Sequence, residues 1–228
     1  MNLPFQPVRA VFFDAVGTLI HPVEPVPATY RRFAARQGLM LDEPTVQLRM
    51  KSAYAHQERL DQAAGWRTDE AREFDRWQSI VRDTLPEAAV CFDELWHYFS
   101  TPQAWTVADD TAEALIQLQQ RGLVLGIASN FDQRLASILP AFPALAPVAA
   151  VSIISSAIGW RKPGRGFFEE VIRQAECEPA EIMFVGDDWR NDIEGATAAG
   201  LRAVLMSSEL VSTHAAVVAR ISDLTTLI

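Results

Sequence analysis

The hydrophobic pattern of the chain changes period twice. Val11-Phe12-Phe13 is a short apolar run with the character of a strand buried on both faces, and it stops at Asp14. Later apolar runs, Leu123 to Ala128, Val148 to Ile153, Ile182 to Gly186 and Leu201 to Met206, alternate with segments of helical spacing. These helices are expected from Asp109 or Asp110 to Gln120, from about Asp132, from Phe167 to Ala175 and from Asp188 to Ala199. Asp109 or Asp110 supplies a cap to the first of them and Gly122 its end. Strands alternating with helices imply right-handed crossovers and an α/β fold, a parallel sheet with helices on both faces.

Between the first strand and the rest the pattern is different. His21 to Pro27 is dense in proline, which disfavours both helix and central strand, so it reads as a stiff connector. From about Ala28 to Phe99 no strand-like run occurs. Apolar residues recur at helical spacing, as in Val46, Met50, Ala53 and Tyr54, or Phe74, Trp77, Ile80 and Val81. Four helices are expected, separated near Gly38, Ala63 to Thr68, and Pro86, with their aromatic stripes forming the core of the unit. Thr101-Pro102-Gln103 is the return connector. The expected organisation is a core of residues 1–21 and 102–228, with an all-helical unit at 22–101 inserted into it. Two proline-containing connectors would let that unit move as a rigid body.

The 228 residues, 49% of them hydrophobic, suffice for a large core, and nothing in the composition suggests disorder. A formal charge of −9 argues against nucleic acid or an anionic membrane as partner, while leaving room for a small anion held by a local cluster of cations. No run is long enough to cross a bilayer, and Met1 to Phe5 lacks the pattern of a secretion signal. Cys91 and Cys177 have no metal-ligand neighbours and read as reduced thiols of a cytoplasmic protein.

Chemistry gathers where the apolar runs stop. Asp14, Ser129-Asn130 and Asp187-Asp188 stand at carboxyl ends of strands, the side on which open α/β sheets bind ligands. Asp14 and Asp187 come from different strands and together suit Mg2+, which takes one or two carboxylates and keeps several waters. Ser129 and Asn130 offer a hydroxyl and backbone N–H groups ahead of a helix, an anion-binding arrangement. Lys162 offsets the repulsion between the carboxylates and a bound anion. Thr18 adds a hydroxyl near that anion or stabilises the turn after Gly17. Asp188 and Asp192 orient metal-bound water, or else cap and charge the start of a helix.

The ordered series Asp14 with Gly17-Thr18, Ser129-Asn130, Lys162-Pro163 and Gly186-Asp187-Asp188 resembles the haloacid dehalogenase-like hydrolases over essentially the whole chain. Most members of that superfamily are phosphatases with an aspartate nucleophile. The resemblance implies a Rossmann-like core with an inserted helical cap. It implies Asp14 as nucleophile through an aspartyl-phosphate, Lys162 as its charge partner, and Thr18, Ser129 and Asn130 around the phosphate. It also implies Mg2+ on Asp14, Asp187 and the backbone carbonyl of residue 16. There the chain departs from the family, whose first motif carries a second aspartate where Val16 stands; Gly164-Arg165 also departs from the usual continuation after Lys-Pro. In the family's phosphatases the missing acid protonates the leaving oxygen and then activates water, a role commonly worth roughly 100- to 10,000-fold. His21 is the nearby residue that titrates close to neutrality, although a hinge role explains it as well.

The expected function is therefore Mg2+-dependent hydrolysis of a small phosphorylated metabolite by a monomer or homodimer. The alternatives are hydrolysis of a carbon–halogen or carbon–phosphorus bond, and a regulatory protein that binds phosphate and metal with little turnover. Members acting on carbon lack the second acid too, but the haloacid dehalogenases are metal-independent and lack a Gly-Asp-Asp motif like this one. Within the helical unit, the Ala63 to Thr68 connector, with Trp66 and Arg67, or the short connector near Gly38, is expected to face the active site and touch the substrate.

Overall fold

A computed structural model describes residues 7–209 and 215–228; the amino-terminal stretch read for a secretion signal lies outside them. The chain enters at β1 (Ala10–Phe13), turns, and forms β2 (His21–Pro22). Four helices follow: α1 (Val26–Arg36), α2 (Glu43–Ala63), α3 (Glu70–Thr84) and, after a 3-10 turn at Pro86–Cys91, α4 (Phe92–Phe99). The chain returns through β3 (Trp105–Thr106), which pairs antiparallel with β2 as a small ribbon at the root of this helical insert. Alternation then resumes with α5 (Thr111–Gln120), β4 (Val124–Ser129), α6 (Arg134–Ile138), α7 (Ala146–Ala149), β5 (Ser152–Ile154), α8 (Ser155–Ile158) and α9 (Arg165–Ala175). β6 (Ile182–Gly186), α10 (Gly195–Ala198), β7 (Arg202–Met206) and β8 (Ala216–Val218) complete it.

The six long-range strands form one sheet in the order β5-β4-β1-β6-β7-β8, each adjacent pair parallel. Both faces of β1 are buried, which explains its unbroken apolar run. Val11 and Phe13 pack into one cluster with Leu115 and Leu118 of α5, while Ala10 and Phe12 pack into the other with Phe167, Phe168 and Val171 of α9. No helix among the described residues is long and apolar enough to cross a membrane. Both cysteines are free thiols.

Three local expectations give way. The run from Val148 to Ile153 is not one strand: Pro147 sits in the first turn of α7, and only Ser152–Ile154 joins the sheet edge. The helix expected from Asp188 begins instead as a wide turn, in which the Asp188 carbonyl accepts from the N–H groups of both Asp192 and Ile193; regular helix starts at Gly195. Asp110 does not cap α5, because its carboxylate accepts from the Ser222 hydroxyl at 2.6 Å and the Ser222 N–H at 3.3 Å.

The insert has its own core around Tyr30, Phe33, Val46, Val81, Leu85 and Leu95. Its helices α2 and α3 start at Asp42 and Asp69, whose side chains accept from Thr45 N–H and Arg72 N–H. A buried ionic cluster fastens it to the sheet domain. Arg161, just before Lys162, pairs with Glu73 of α3 and with Asp61 of α2 at 3.5 Å. Asp61 also receives Arg72 at 2.6 Å and Arg76 at 3.0 Å, and the Thr68 hydroxyl donates to Glu73 at 2.7 Å. Nearby, Glu70 accepts from the Ser156 hydroxyl and from Gln133 N–H at 3.1 Å.

Candidate active site

The carboxyl ends of the central strands converge on one cleft. β1 delivers Asp14, whose N–H donates to Val185 of the neighbouring β6 at 2.8 Å, and β6 in turn delivers Asp187 one residue beyond its end. Gly17 makes this convergence possible. Its φ is +92°, and a Cβ there would lie 2.2 Å from a carboxylate oxygen of Asp187. Gly186 does the same for Asp192, since a Cβ would fall 2.2 Å from that carboxylate. The turn after β1 and the turn after β6 are thus packed against each other through glycine.

Lys162 spans the site. Its buried ammonium donates to Asp14 at 2.6 Å and to Asp192 at 2.6 Å. Burial alone would lower the lysine, but the two carboxylates outweigh it and hold it above its ordinary range. Asp192 also accepts from Asp188 N–H at 3.0 Å, and burial raises it while Lys162 opposes the shift. Asp187 has no such cation in contact. Partial burial, then Asp14, then Asp192 push it up to about 7, even though water reaches one side of it. Three carboxylates with donor atoms within 4.8 Å of one another therefore face a single lysine. An all-oxygen cluster with this excess of negative charge fits a hard divalent cation.

Asn130 and Lys162 are tied by two hydrogen bonds, with the Asn130 amide donating to the Lys162 carbonyl at 3.0 Å and accepting from the Lys162 N–H at 2.7 Å. This side chain holds the lysine loop in place. Ser129 is buried at the cleft wall, and its hydroxyl has no hydrogen bond to other described residues. Val16 and Asp188 also line the cleft, and Asp188 caps the turn after it by accepting from Asn191 N–H at 2.7 Å.

Other expected residues lie elsewhere. Thr18 is buried off the cleft wall, its hydroxyl without a hydrogen-bond partner among the described residues. His21 sits in β2 at the root of the insert, lowered by burial, and is not part of the wall. The Ala63 to Thr68 connector does not face the cleft either. Arg161 N–H donates to the Trp66 carbonyl at 2.8 Å, and the Arg67 guanidinium lies 3.5 Å from the centre of the Trp160 ring. Gly164, with no side chain, leaves room for Trp66 against the lysine loop. That connector docks the insert onto the core and never reaches the ligand space.

The cleft holds about 330 Å3 in all and runs from the carboxylates along a largely apolar wall of Tyr30, Tyr54, Trp77 and Phe99 from the insert and Trp105 and Phe131. The sequence assigned the insert's aromatic residues to its own core. Helical spacing could not separate the two roles, because a cavity wall and a packed core ask for the same apolar face.

A parallel α/β sheet with an aspartate, a lysine and further carboxylates gathered at its strand ends defines a hydrolase-type centre. The profile of the family described as haloacid dehalogenase-like hydrolase matches residues 8–200, and the chain belongs to that family. It is 30% identical over 208 residues to haloacid dehalogenase-like hydrolase domain-containing protein 3 of Bos taurus, covering 88% of this chain and 82% of the relative. Over 106 residues it is 32% identical to a glyceraldehyde 3-phosphate phosphatase of Methanothermobacter thermautotrophicus, covering 44% of this chain and 45% of that one. Among solved structures, an L-2-haloacid dehalogenase superposes with a TM-score of 0.78 at 18% identity, covering 97% of this chain and 99% of that one, a likeness of fold.

Proposed function

We propose that this hydrolase is a phosphatase that works through an aspartyl-phosphate on Asp14. The observation that carries the reading is the acidic cluster of Asp14, Asp187 and Asp192 around a single buried lysine, a site built to balance added positive charge against an anionic substrate. Asp14 and Asp187, with the Val16 carbonyl, would hold Mg2+, which when bound neutralises charge on the transferring phosphoryl group. Lys162 holds the Asp14 carboxylate in place through its 2.6 Å contact, while Asn130 fixes the lysine loop. The Ser129 hydroxyl is available to a phosphate oxygen. The helical insert closes over the site as a cap, shielding it from bulk solvent while leaving room for the water that hydrolyses the intermediate.

Val16 favours a second reading, hydrolysis at carbon, which needs no acid at that position. The all-oxygen cation site weighs toward phosphorus. Phosphate release from a panel of phosphomonoesters, with and without Mg2+, tests the proposal beside halide release from 2-haloacids. Halide release without phosphate release would overturn it, and neither activity would leave a binding protein.

A further inference from the structure

Two features of this cleft are independent of each other and point the same way. The first is chemical. No carboxylate stands at residue 16, so the leaving oxygen receives no proton from that position. An alkyl alkoxide departs poorly without one, whereas a phenolate departs readily. The second is the shape and lining of the space beyond the phosphate position. Tyr54 and Trp77 meet edge to face with centroids 6.1 Å apart, and Trp105 bridges Phe99 at 5.7 Å and Phe131 at 6.1 Å. The cavity of about 330 Å3 has room for one ring beyond a phosphoryl group.

Charge narrows the class further. Arg134 is the one cation among the described residues lining this apolar part, and it is already neutralised. Its Nε and Nη2 donate to the two oxygens of Asp132, each at 2.7 Å, and its guanidinium stacks 3.4 Å from the centre of the Trp96 ring. A leaving group with a carboxylate or second phosphate would find no uncompensated positive charge there. Tyr30 supplies a polar feature instead. It is buried to 2% exposure, lines the cavity, and its hydroxyl has no hydrogen bond to the described residues. It can meet one polar substituent on a ring.

We propose that the leaving group is an uncharged phenol, so that the substrate class is an aryl phosphate monoester held between Trp77, Tyr30 and Phe131. The chemistry rests on the phosphatase reading, but the recognition does not. An Asp14 oxygen attacks phosphorus, and the bond from phosphorus to the aryl oxygen breaks with its electron pair on that oxygen. The phenolate takes a proton from water. A second water attacks phosphorus, the bond to Asp14 breaks with its pair returning to the carboxylate, and the proton released balances the one consumed. Phenol and inorganic phosphate leave.

The test separates recognition from chemistry. Calorimetry compares phenylphosphonate with methylphosphonate, both of which lack the ester bond the proposed reaction breaks; burying the ring should tighten binding by about tenfold to hundredfold. Trp77→Leu and Tyr30→Phe, each checked for native circular dichroism, should move that ratio toward one in the first variant and leave the ring's apolar gain in the second. Turnover then compares phenyl phosphate with cyclohexyl phosphate, equal in size but alkyl, and with glycerol 3-phosphate. Phenyl phosphate should exceed both in kcat/KM by about a hundredfold or more. Equal affinity for the two phosphonates, or turnover of cyclohexyl or glycerol phosphate matching phenyl phosphate, overturns the inference while the phosphatase reading stands. Tighter phenylphosphonate binding with no phosphate released from any ester supports the aryl pocket and overturns the phosphatase reading.

Discussion

The ionic cluster between insert and core allows a prediction whose order, as well as size, follows from counting charges. Asp61 and Glu73 face Arg72, Arg76 and Arg161, two negative charges against three positive, and only Arg72 has substantial contact with water. Burial, then Arg161, already depress Arg76 below its ordinary range. Glu73→Gln leaves one carboxylate for three guanidinium groups and turns an amide N–H or carbonyl toward Arg161, with Thr68 as its remaining partner. Arg161→Met leaves two carboxylates facing two arginines, balanced in sum, although Glu73 then keeps only the Thr68 hydroxyl. Breaking a buried pair from one side costs about 3–5 kcal/mol. Glu73→Gln should fall at the upper end of that range and Arg161→Met at the lower end. The double variant should lose less than the sum by about 1–3 kcal/mol, because neither partner is stranded. Urea unfolding with metal-free protein reads this as midpoint shifts of roughly 1–3 M at unchanged slope. Losses under about 1 kcal/mol, the reverse order, or additivity within about 0.5 kcal/mol would refute the picture of a buried, charge-balanced clamp.

Asp14→Asn should abolish turnover with the fold retained, since the amide cannot form the acyl phosphate; activity in purified variant protein would remove Asp14 as nucleophile. Val16→Asp should raise cyclohexyl phosphate hydrolysis by about 100-fold or more and phenyl phosphate hydrolysis much less, so equal gains on both would defeat the missing-acid explanation. Asp187→Asn should weaken Mg2+ binding measured by calorimetry yet stabilise metal-free protein. With Asp187 raised from 3.8 to about 7, folding is favoured fully below pH 3.8, and that contribution is lost as pH rises through about 7. Because water screens this carboxylate, the gain on substitution should be on the order of 1 kcal/mol at pH 8 and vanish near pH 4; a gain independent of pH would point to packing instead.

Strand ends were legible because a fully buried parallel strand must be apolar along its length, so Asp14 and Asp187 stood out as abrupt exceptions. The four helices of the insert were legible from spacing, to within a few residues at their ends. What spacing could not carry was the partner of each face. Tyr54 and Trp77 sit on the same helical stripes as true core residues, and only the fold decides that they border a cavity. Nor could it carry the pairing of Arg161 with Glu73, 88 residues away in sequence and on another element. Asn130 is a third case. The pair Ser129-Asn130 suggested an anion site through a hydroxyl and backbone N–H groups, and gave no sign of the further task its Asn130 side chain has in holding the backbone of Lys162. The short β8 was missed although it sits in the apolar run Ala215 to Ala219, because so short a run cannot separate strand from helix by period.

Arg161 and Lys162 are consecutive cations with opposite duties, and their adjacency bears on how the insert can move. Arg161 points into the insert, to Glu73 and Asp61, while Lys162 points into the sheet domain, to Asp14 and Asp192. A swing of the insert that kept Arg161 bound would pull on the loop that holds Lys162, which Asn130 anchors on the other side by two hydrogen bonds. A swing that released Arg161 would strand buried carboxylates at a cost of several kcal/mol, about the clamp energy considered above. The two proline connectors lie beside the β2–β3 ribbon, where the ion pair of Glu24 with Arg32 stays within the insert. Any rigid-body motion allowed by those connectors therefore has to carry the Arg161 clamp along or break it. With the clamp intact, opening is limited to small displacements about Arg161, which keep the aromatic wall close to its position relative to Asp14. Selection by ring shape requires a wall of that kind, because a wall that moved away with each turnover would have to be rebuilt around every substrate.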